Sequence, residues 1–178
     1  MNSKKQIMSF IKPNVLPIVI LSVFPLTFIF GLIILLSVTI PNYNRAKKSI
    51  KKLENNGELD KAAAELMSTN TKRFIKGKLI FKDNYIFCSK TGYIFSYNDI
   101  LWTYKHKLTQ TFLFIPINVT ESIYIATKTM KPKQVASMGK DKTNEIKNAI
   151  LEIYNHNNSC LIGYSNETAS NYKLLCSK

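Results

Sequence analysis

Hydrophobic and polar positions divide this chain into three zones. From Val15 to Ile40 no position carries Asp, Glu, Lys, Arg, His, Asn or Gln. From Asn42 to Met67 the apolar residues recur at helical spacing. Ala46, Ile50 and Leu53 fall at i, i+4 and i+7, and Leu59, Ala62, Ala63 and Leu66 share a second face, with Asn55-Asn56-Gly57 as the breaker between them. From Lys72 onward the period falls to two. Strands are expected at Lys78–Phe81, Tyr85–Cys88, Tyr93–Tyr97, Ile100–Tyr104, Thr111–Ile117, Ser122–Thr127 and Gln134–Met138, joined by turns such as Lys82-Asp83-Asn84 and Ser89-Lys90-Thr91-Gly92. A helix follows, with Asp141 as its N-cap and Ile146, Ala149, Ile150, Ile153 and Tyr154 as its apolar stripe. Leu161–Tyr164 is a short extended piece, and Ser165 opens a final helix.

The apolar run of 26 residues would reach roughly 39 Å as a helix, more than the ~30 Å of a hydrocarbon core. It is longer than the apolar region of a cleaved signal peptide and carries no small-x-small site at its end. The expectation is a single-pass transmembrane anchor kinked at Pro25. Its N-terminal side carries Lys4, Lys5 and Lys12, and its C-terminal side Arg45, Lys47, Lys48, Lys51 and Lys52. The excess on the second side places the C-terminal domain in the cytoplasm, beneath a plasma membrane. The organisation read from the pattern is a basic tail (1–14), a transmembrane helix (15–40), a helical juxtamembrane linker (41–70) and a folded domain (71–178).

Closely spaced antiparallel strands closed by one amphipathic helix make an α+β domain, a curled sheet of the pleckstrin-homology-like kind. The stretch Lys78–Tyr85, followed by Tyr97-Asn98-Asp99-Ile100-Leu101-Trp102-Thr103-Tyr104, resembles a segment of uncharacterised membrane-anchored bacterial proteins with pleckstrin-homology-like domains, and Leu161-Ile162-Gly163-Tyr164-Ser165 resembles the segment after their helix. The resemblance spans about Lys72 to Tyr172. It makes Asp99, Trp102 and Tyr104 a fold motif and brings no catalytic residue with it.

The chain has 178 residues and a formal charge of +14, from 25 Lys+Arg against 11 Asp+Glu. Only two of the cations are Arg, Arg45 and Arg73, which argues against reading guanine edges in nucleic acid. Cys88, Cys160 and Cys176 show no C-x-x-C spacing, and only His106 and His156 could join them. Neither a metal site nor a disulfide framework is expected, and no cofactor. Phosphate-loop and nucleophile-elbow motifs are missing. A Cys160–His156 pair is the one nucleophilic arrangement on paper, and Cys160 reads more simply as a small buried strand residue. Trp102 reads as a core anchor.

What is left is a non-enzymatic interaction module tethered to a bilayer, binding a protein partner at the membrane or in the cytoplasm. A strand added to an exposed sheet edge is one such partner. The alternative is a sensor of anionic lipid headgroups, using the juxtamembrane lysines and the early-strand cations Arg73, Lys76, Lys78 and Lys82.

Overall fold

The computed structural model describes residues 3–11, 35–113, 115–141 and 143–177. The chain divides into two compact units, Met1–Ser68 with Ser89–Ile94, and Thr69–Cys88 with Phe95–Lys178.

The described part of the first unit is helical. It holds α1 (Ser3–Ile11), a π-helical turn (Leu35–Thr39), α2 (Ile40–Asn55) and α3 (Leu59–Met67). Pro41 sits in the first turn of α2, where its missing N–H costs nothing. Ala46, Ile50 and Leu53 are the buried face of α2, and Ala62 and Ala63 that of α3. Gly57, at φ +70°, makes the left-handed turn that lets Glu58 N–H reach back to the Leu53 carbonyl at 2.9 Å. α1 packs on both partners. Its Ile7 is fully buried, Lys4 Nζ lies 3.0 Å from Glu54, and Ser3 Oγ donates to Asp60 at 2.7 Å. The return segment 89–94 lies against α2. Gly92 (φ +76°) approaches the Asn42 carbonyl and Ala46 so closely that a Cβ would have no room.

These contacts correct the expected membrane anchor. Residues 15–34 of the expected span, and Lys12 before it, lie outside the described residues. The described end, Leu35–Ile40, is a π-helical turn entering α2. Among the described residues no helix is long and apolar enough to cross a membrane. A single straight pass would also hold the two flanks roughly 39 Å apart. Here the flanks are packed together, through Ile7, Lys4–Glu54 and Ser3–Asp60. The single-pass, plasma-membrane reading therefore does not stand, and the count of flanking cations on which its orientation rested loses its meaning.

The second unit holds most of the strands. β1 (Lys72–Phe74), β2 (Leu79–Phe81), β3 (Tyr85–Cys88) and β4 (Ile94–Ser96) form one sheet in sequential order. β2 and β3 are buried at every position, as their uninterrupted Leu-Ile-Phe and Tyr-Ile-Phe-Cys runs require. A 3₁₀ turn (Tyr97–Asp99) leads to β5 (Ile100–Phe112), β6 (Ile115–Thr127) and β7 (Met130–Met138). Then come α4 (Glu145–His156), β8 (Leu161–Ile162) and α5 (Asn166–Ser177). The second sheet has the order β7-β6-β5-β8.

α4 buries Ile146, Ala149, Ile150 and Ile153, and contacts β1, β5 and β6. Tyr154, expected in that stripe, is exposed. Asn144 occupies the N-cap position, yet both oxygens of Asp141 accept from helix N–H groups, Glu145 at 2.9 Å and Ile146 at 3.0 Å. At the start of α5 the Ser165 and Thr168 side chains bond each other's backbone N–H at 3.0 and 2.9 Å, a reciprocal cap. Trp102, Tyr104, Ala126 and Tyr172 form a cluster between the second sheet and α5.

The expected curled, pleckstrin-homology-like sheet is corrected as well. Among the described residues there are two four-stranded sheets, and neither closes on itself. The physical reason lies at the β4–β5 junction. The 3₁₀ turn redirects the chain, and Asn157 Nδ2 donates to the carbonyls of Tyr97 (2.8 Å) and Ile100 (2.9 Å). The β5 edge that a continuous meander would give to β4 is taken by β8, in parallel register Trp102↔Leu161 and Thr103↔Ile162. The run Thr111–Ile117, expected as one strand, is divided between two: Thr111 and Phe112 end β5, and Ile115 to Ile117 begin β6.

The close approach at residue 92 is open to test. Gly92→Ala meets α2 backbone at a positive φ and should destabilise the protein by about 2 kcal/mol or more. Thermal unfolding reads this, with Gly57→Ala, which meets open space, showing only the strain of its own φ.

Candidate functional site

The basic residues of the early strands stand in different settings. Arg73 is exposed on β1. Lys76 lies in the β1–β2 turn, where Ile75 and Lys76 both have φ of +55° and Lys76 N–H donates to Glu145 Oε2 at 3.1 Å. Lys78 Nζ donates to the Ser137 carbonyl. Lys82 is 4% exposed, with Nζ 2.5 Å from Thr71 Oγ1. The four cations are thus divided among a strand, a strained turn and a buried site. In the first unit Lys4 is paired with Glu54, and Arg45 bonds Asn42 Oδ1 at 2.9 Å and lies over the Tyr93 ring at 5.7 Å. Lys5, Lys47, Lys48, Lys51 and Lys52 are exposed.

Lys82 instead borders a small polar pocket of about 60 Å³, with Lys72, Asp83, Glu152 and His156 among its lining. Its floor is Phe81. Lys72 Nζ is 2.7 Å from Glu152, and Asn70 Nδ2 donates to Asp83 at 2.6 Å. The His156 ring stacks on Tyr97 at 4.2 Å, and its Nδ1 lies 2.9 Å from the Glu152 carbonyl oxygen. Lys72 and Glu152 pair within the lining, while Asp83 accepts from the Asn70 amide and Lys82 donates to the Thr71 hydroxyl, so these charged groups are already engaged with protein partners. Cys160 does not make a nucleophile with His156. Burial pushes its thiol up to about 12, despite a hydrogen bond with Thr103 backbone, so it stays protonated. Cys88 is buried and Cys176 half-buried, and all three are free thiols. Among the described residues no three His, Cys, Asp or Glu gather as metal ligands.

The expected fold motif resolves into separate roles. Asp99 closes the 3₁₀ turn. Trp102 is 3% exposed, and its Nε1 donates to the Gly163 carbonyl at 2.7 Å. Tyr104 is buried beside it, with ring centroids 4.6 Å apart. Burial raises the Tyr104 phenol, and the nearby Tyr124 and Tyr164 add to the shift. Tyr172, whose OH donates to Thr127 O (3.0 Å) and Met130 O (3.1 Å), is pushed up to about 12, chiefly by burial and then by Cys176. These phenols remain protonated donors through the neutral range.

Beyond this cluster the second sheet changes character. β5 and β6 pair from Ile100↔Thr127 out to Phe112↔Ile115. β7 leaves β6 at Glu121, and β8 meets β5 only at Trp102 and Thr103. From about Lys107 to Thr120 the two strands therefore continue as a two-stranded ribbon. Leu108, Leu113 and Ile117 are 51%, 74% and 67% exposed on it. The ribbon was not legible as such. No period-two signal marks it, because Lys105 to Gln110 is polar at every position but Leu108 and gives no reason to extend β5 past the expected end at Tyr104.

One ion pair anchors the ribbon's root. Lys105 Nζ and the Asp141 backbone N–H both reach Glu121 Oε2 at 2.9 Å. Burial alone would raise the Glu121 carboxyl. The hydrogen bonds from Lys105 and Asp141, with the Lys105 charge, outweigh that and the opposing Asp141 charge, and hold it low. The sign follows. A depressed carboxylate adds stability that is complete above its ordinary pKa of about 4.3 and is lost as pH falls through the lower folded value. Glu121→Gln should cost about 1–3 kcal/mol at neutral pH. The gap between the two proteins should close as pH falls below about 4, as read by urea unfolding across pH.

Residues 44–172 match the family model described as Domain of unknown function (DUF6709). No curated protein and no solved structure matches the chain. The matched stretch runs from α2 to Tyr172 in α5 and takes in well over half of the sequence, so the chain belongs to the DUF6709 family.

Proposed function

We propose that this protein is a non-enzymatic interaction module that binds a protein partner along the β5–β6 ribbon. The observation that carries the reading is the ribbon itself. Among the described residues neither edge of the ribbon pairs with a further strand, which leaves rows of backbone N–H and C=O groups for a partner. Apolar side chains near its tip, Leu113 and Ile117, are mostly in solvent. Exposed apolar side chains on a projecting strand pair are costly unless something covers them. Strand addition to an open edge satisfies the backbone, and pockets for alternate side chains give specificity. The net charge of +14 favours an acidic partner and discourages a second copy of the same chain. The reactive groups offer little to an enzymatic reading, since the Cys160 thiol is protonated and Lys72, Glu152, Asp83 and Lys82 of the polar pocket each hold a protein partner.

A photo-crosslinking residue placed at Leu113 or Ile117 of the full chain, in cells, should give a discrete protein adduct. The same residue at Lys128, exposed in the β6–β7 turn, should give none. Leu113→Asp should remove the Ile117 adduct while changing stability by no more than about 0.5 kcal/mol. Equal labelling from all three positions, or none from the ribbon, would sink the proposal.

A further inference from the structure

The face of the second sheet that carries Trp102 is built differently from the rest of the molecule. From Trp102 to Gln110 on β5, and from Asn118 to Ala126 on β6, the positions sharing this face carry no Asp, Glu, Lys or Arg. Gln134, opposite Tyr124 on β7, continues the pattern. The charged residues of the same strands, Lys105, Lys107 and Glu121, alternate to the other face. In a chain with a net charge of +14 this is a neutral patch.

The patch is aromatic and pre-positioned. The Tyr104 and Tyr124 rings lie parallel, 5.2 Å apart at 7°. Tyr164 stands 5.2 Å from Tyr104 and stacks over Trp102 at 5.7 Å. His106 meets the Tyr124 ring edge-on at 5.7 Å. Trp102 and Tyr104 are buried as a base, whereas Tyr164 is 67% exposed and Tyr124 half-buried. The loop carrying Tyr164 is fixed on both sides of the turn. Gly163 takes φ +81°, and its carbonyl accepts from Trp102 Nε1 at 2.7 Å and from Thr168 Oγ1 at 3.2 Å. The ring is thus held in place before any ligand arrives, which lowers the entropic cost of binding. Around the rings stand neutral donors and acceptors, with Tyr124 OH 3.4 Å from Gln134 Oε1.

We propose that this face binds a neutral saccharide chain. A sugar ring offers a flat C–H face to an aromatic ring and a rim of hydroxyls to amides, phenols and imidazole, and it needs no charge. The other ligands that stack on aromatic rings fit less well. A single-stranded nucleic acid needs cations along its backbone, and this face has none among its sheet positions. An acidic peptide would be drawn to the lysine-bearing surfaces instead. The rings that carry the site, at Tyr104, Tyr124 and Tyr164, lie at the root of the strand pair and away from the ribbon tip at Leu113 and Ile117, so loss of sugar binding in Tyr164→Ala and loss of the tip adducts are separate outcomes.

Isothermal titration of the full chain with cellohexaose, maltohexaose and chitohexaose tests the idea, with an oligothymidine as the charged competitor. At least one sugar should bind, with the same affinity in low and high salt, because no counterions are released. Tyr164→Ala should weaken that binding about tenfold and leave the thermal midpoint in place, since the ring is exposed. Tyr124→Phe, which keeps the ring and removes the hydroxyl, should weaken it less. The proposal is overturned if none of the sugars binds, if Tyr164→Ala binds as tightly as the parent chain, or if only the oligothymidine binds and salt abolishes it.

Discussion

The pairing of β5 with β6 is the interaction on which the second unit depends. Each strand is 13 residues long, and the register runs unbroken but for two shifts. Their shared root is clamped on both sides. Thr103 Oγ1 donates to the Tyr124 carbonyl at 3.0 Å, and Tyr172 OH ties α5 to Thr127 and Met130. Lys105 and Asp141 converge on Glu121, joining the strand pair to the entrance of α4. β7 and β8 add to this pair rather than define it. The pair outlasts both neighbours, and the ribbon is what remains when their pairing stops.

The same constraint divides the labour of the sheet. Period-two alternation sends every second residue of β5 and β6 to one face. At the root, Ile123 and Ile125 are fully buried on the side opposite Tyr104 and Tyr124. The aromatic side is covered at Trp102 by α5, and past the reach of that helix it opens. A half-covered aromatic surface and a ribbon thus follow from one fact, that among the described residues β5 and β6 run on past the strands paired with them.

Much of this was legible locally and little of it globally. The stripes of α2 and α4 were written in Ala46, Ile50 and Leu53, and in Ile146 to Ile153, because helical burial depends on spacing within one segment. Trp102 was legible as a core anchor because a lone indole in a strand has few other places to go. The closed sheet was not correctly read. Whether β4 or β8 takes the edge of β5 depends on Asn157, a side chain some 60 positions from Tyr97. Lys82 looked like a surface cation, because no local pattern shows that Thr71 and the polar pocket enclose it. The apolar run Thr111–Ile117 read as one continuous strand, and here it is divided between the end of β5 and the start of β6. The uncharged stretch 15–40 read as a single pass because composition does not reveal that its flanks are held together by Lys4–Glu54 and Ser3–Asp60.

Hydrogen exchange of the full chain, resolved to single amides, tests the central claim that the β5–β6 root carries the unit while the outer ribbon is held by strand pairing alone. Amides of Trp102, Thr103 and Ile123 to Ala126 should exchange only through global unfolding, the slowest class in the protein. Those from Leu108 to Asn118 should exchange through a separate local opening, faster by orders of magnitude and unaffected by Glu121→Gln. Equal protection from root to tip would contradict the account, and so would a root that exchanges as fast as the tip.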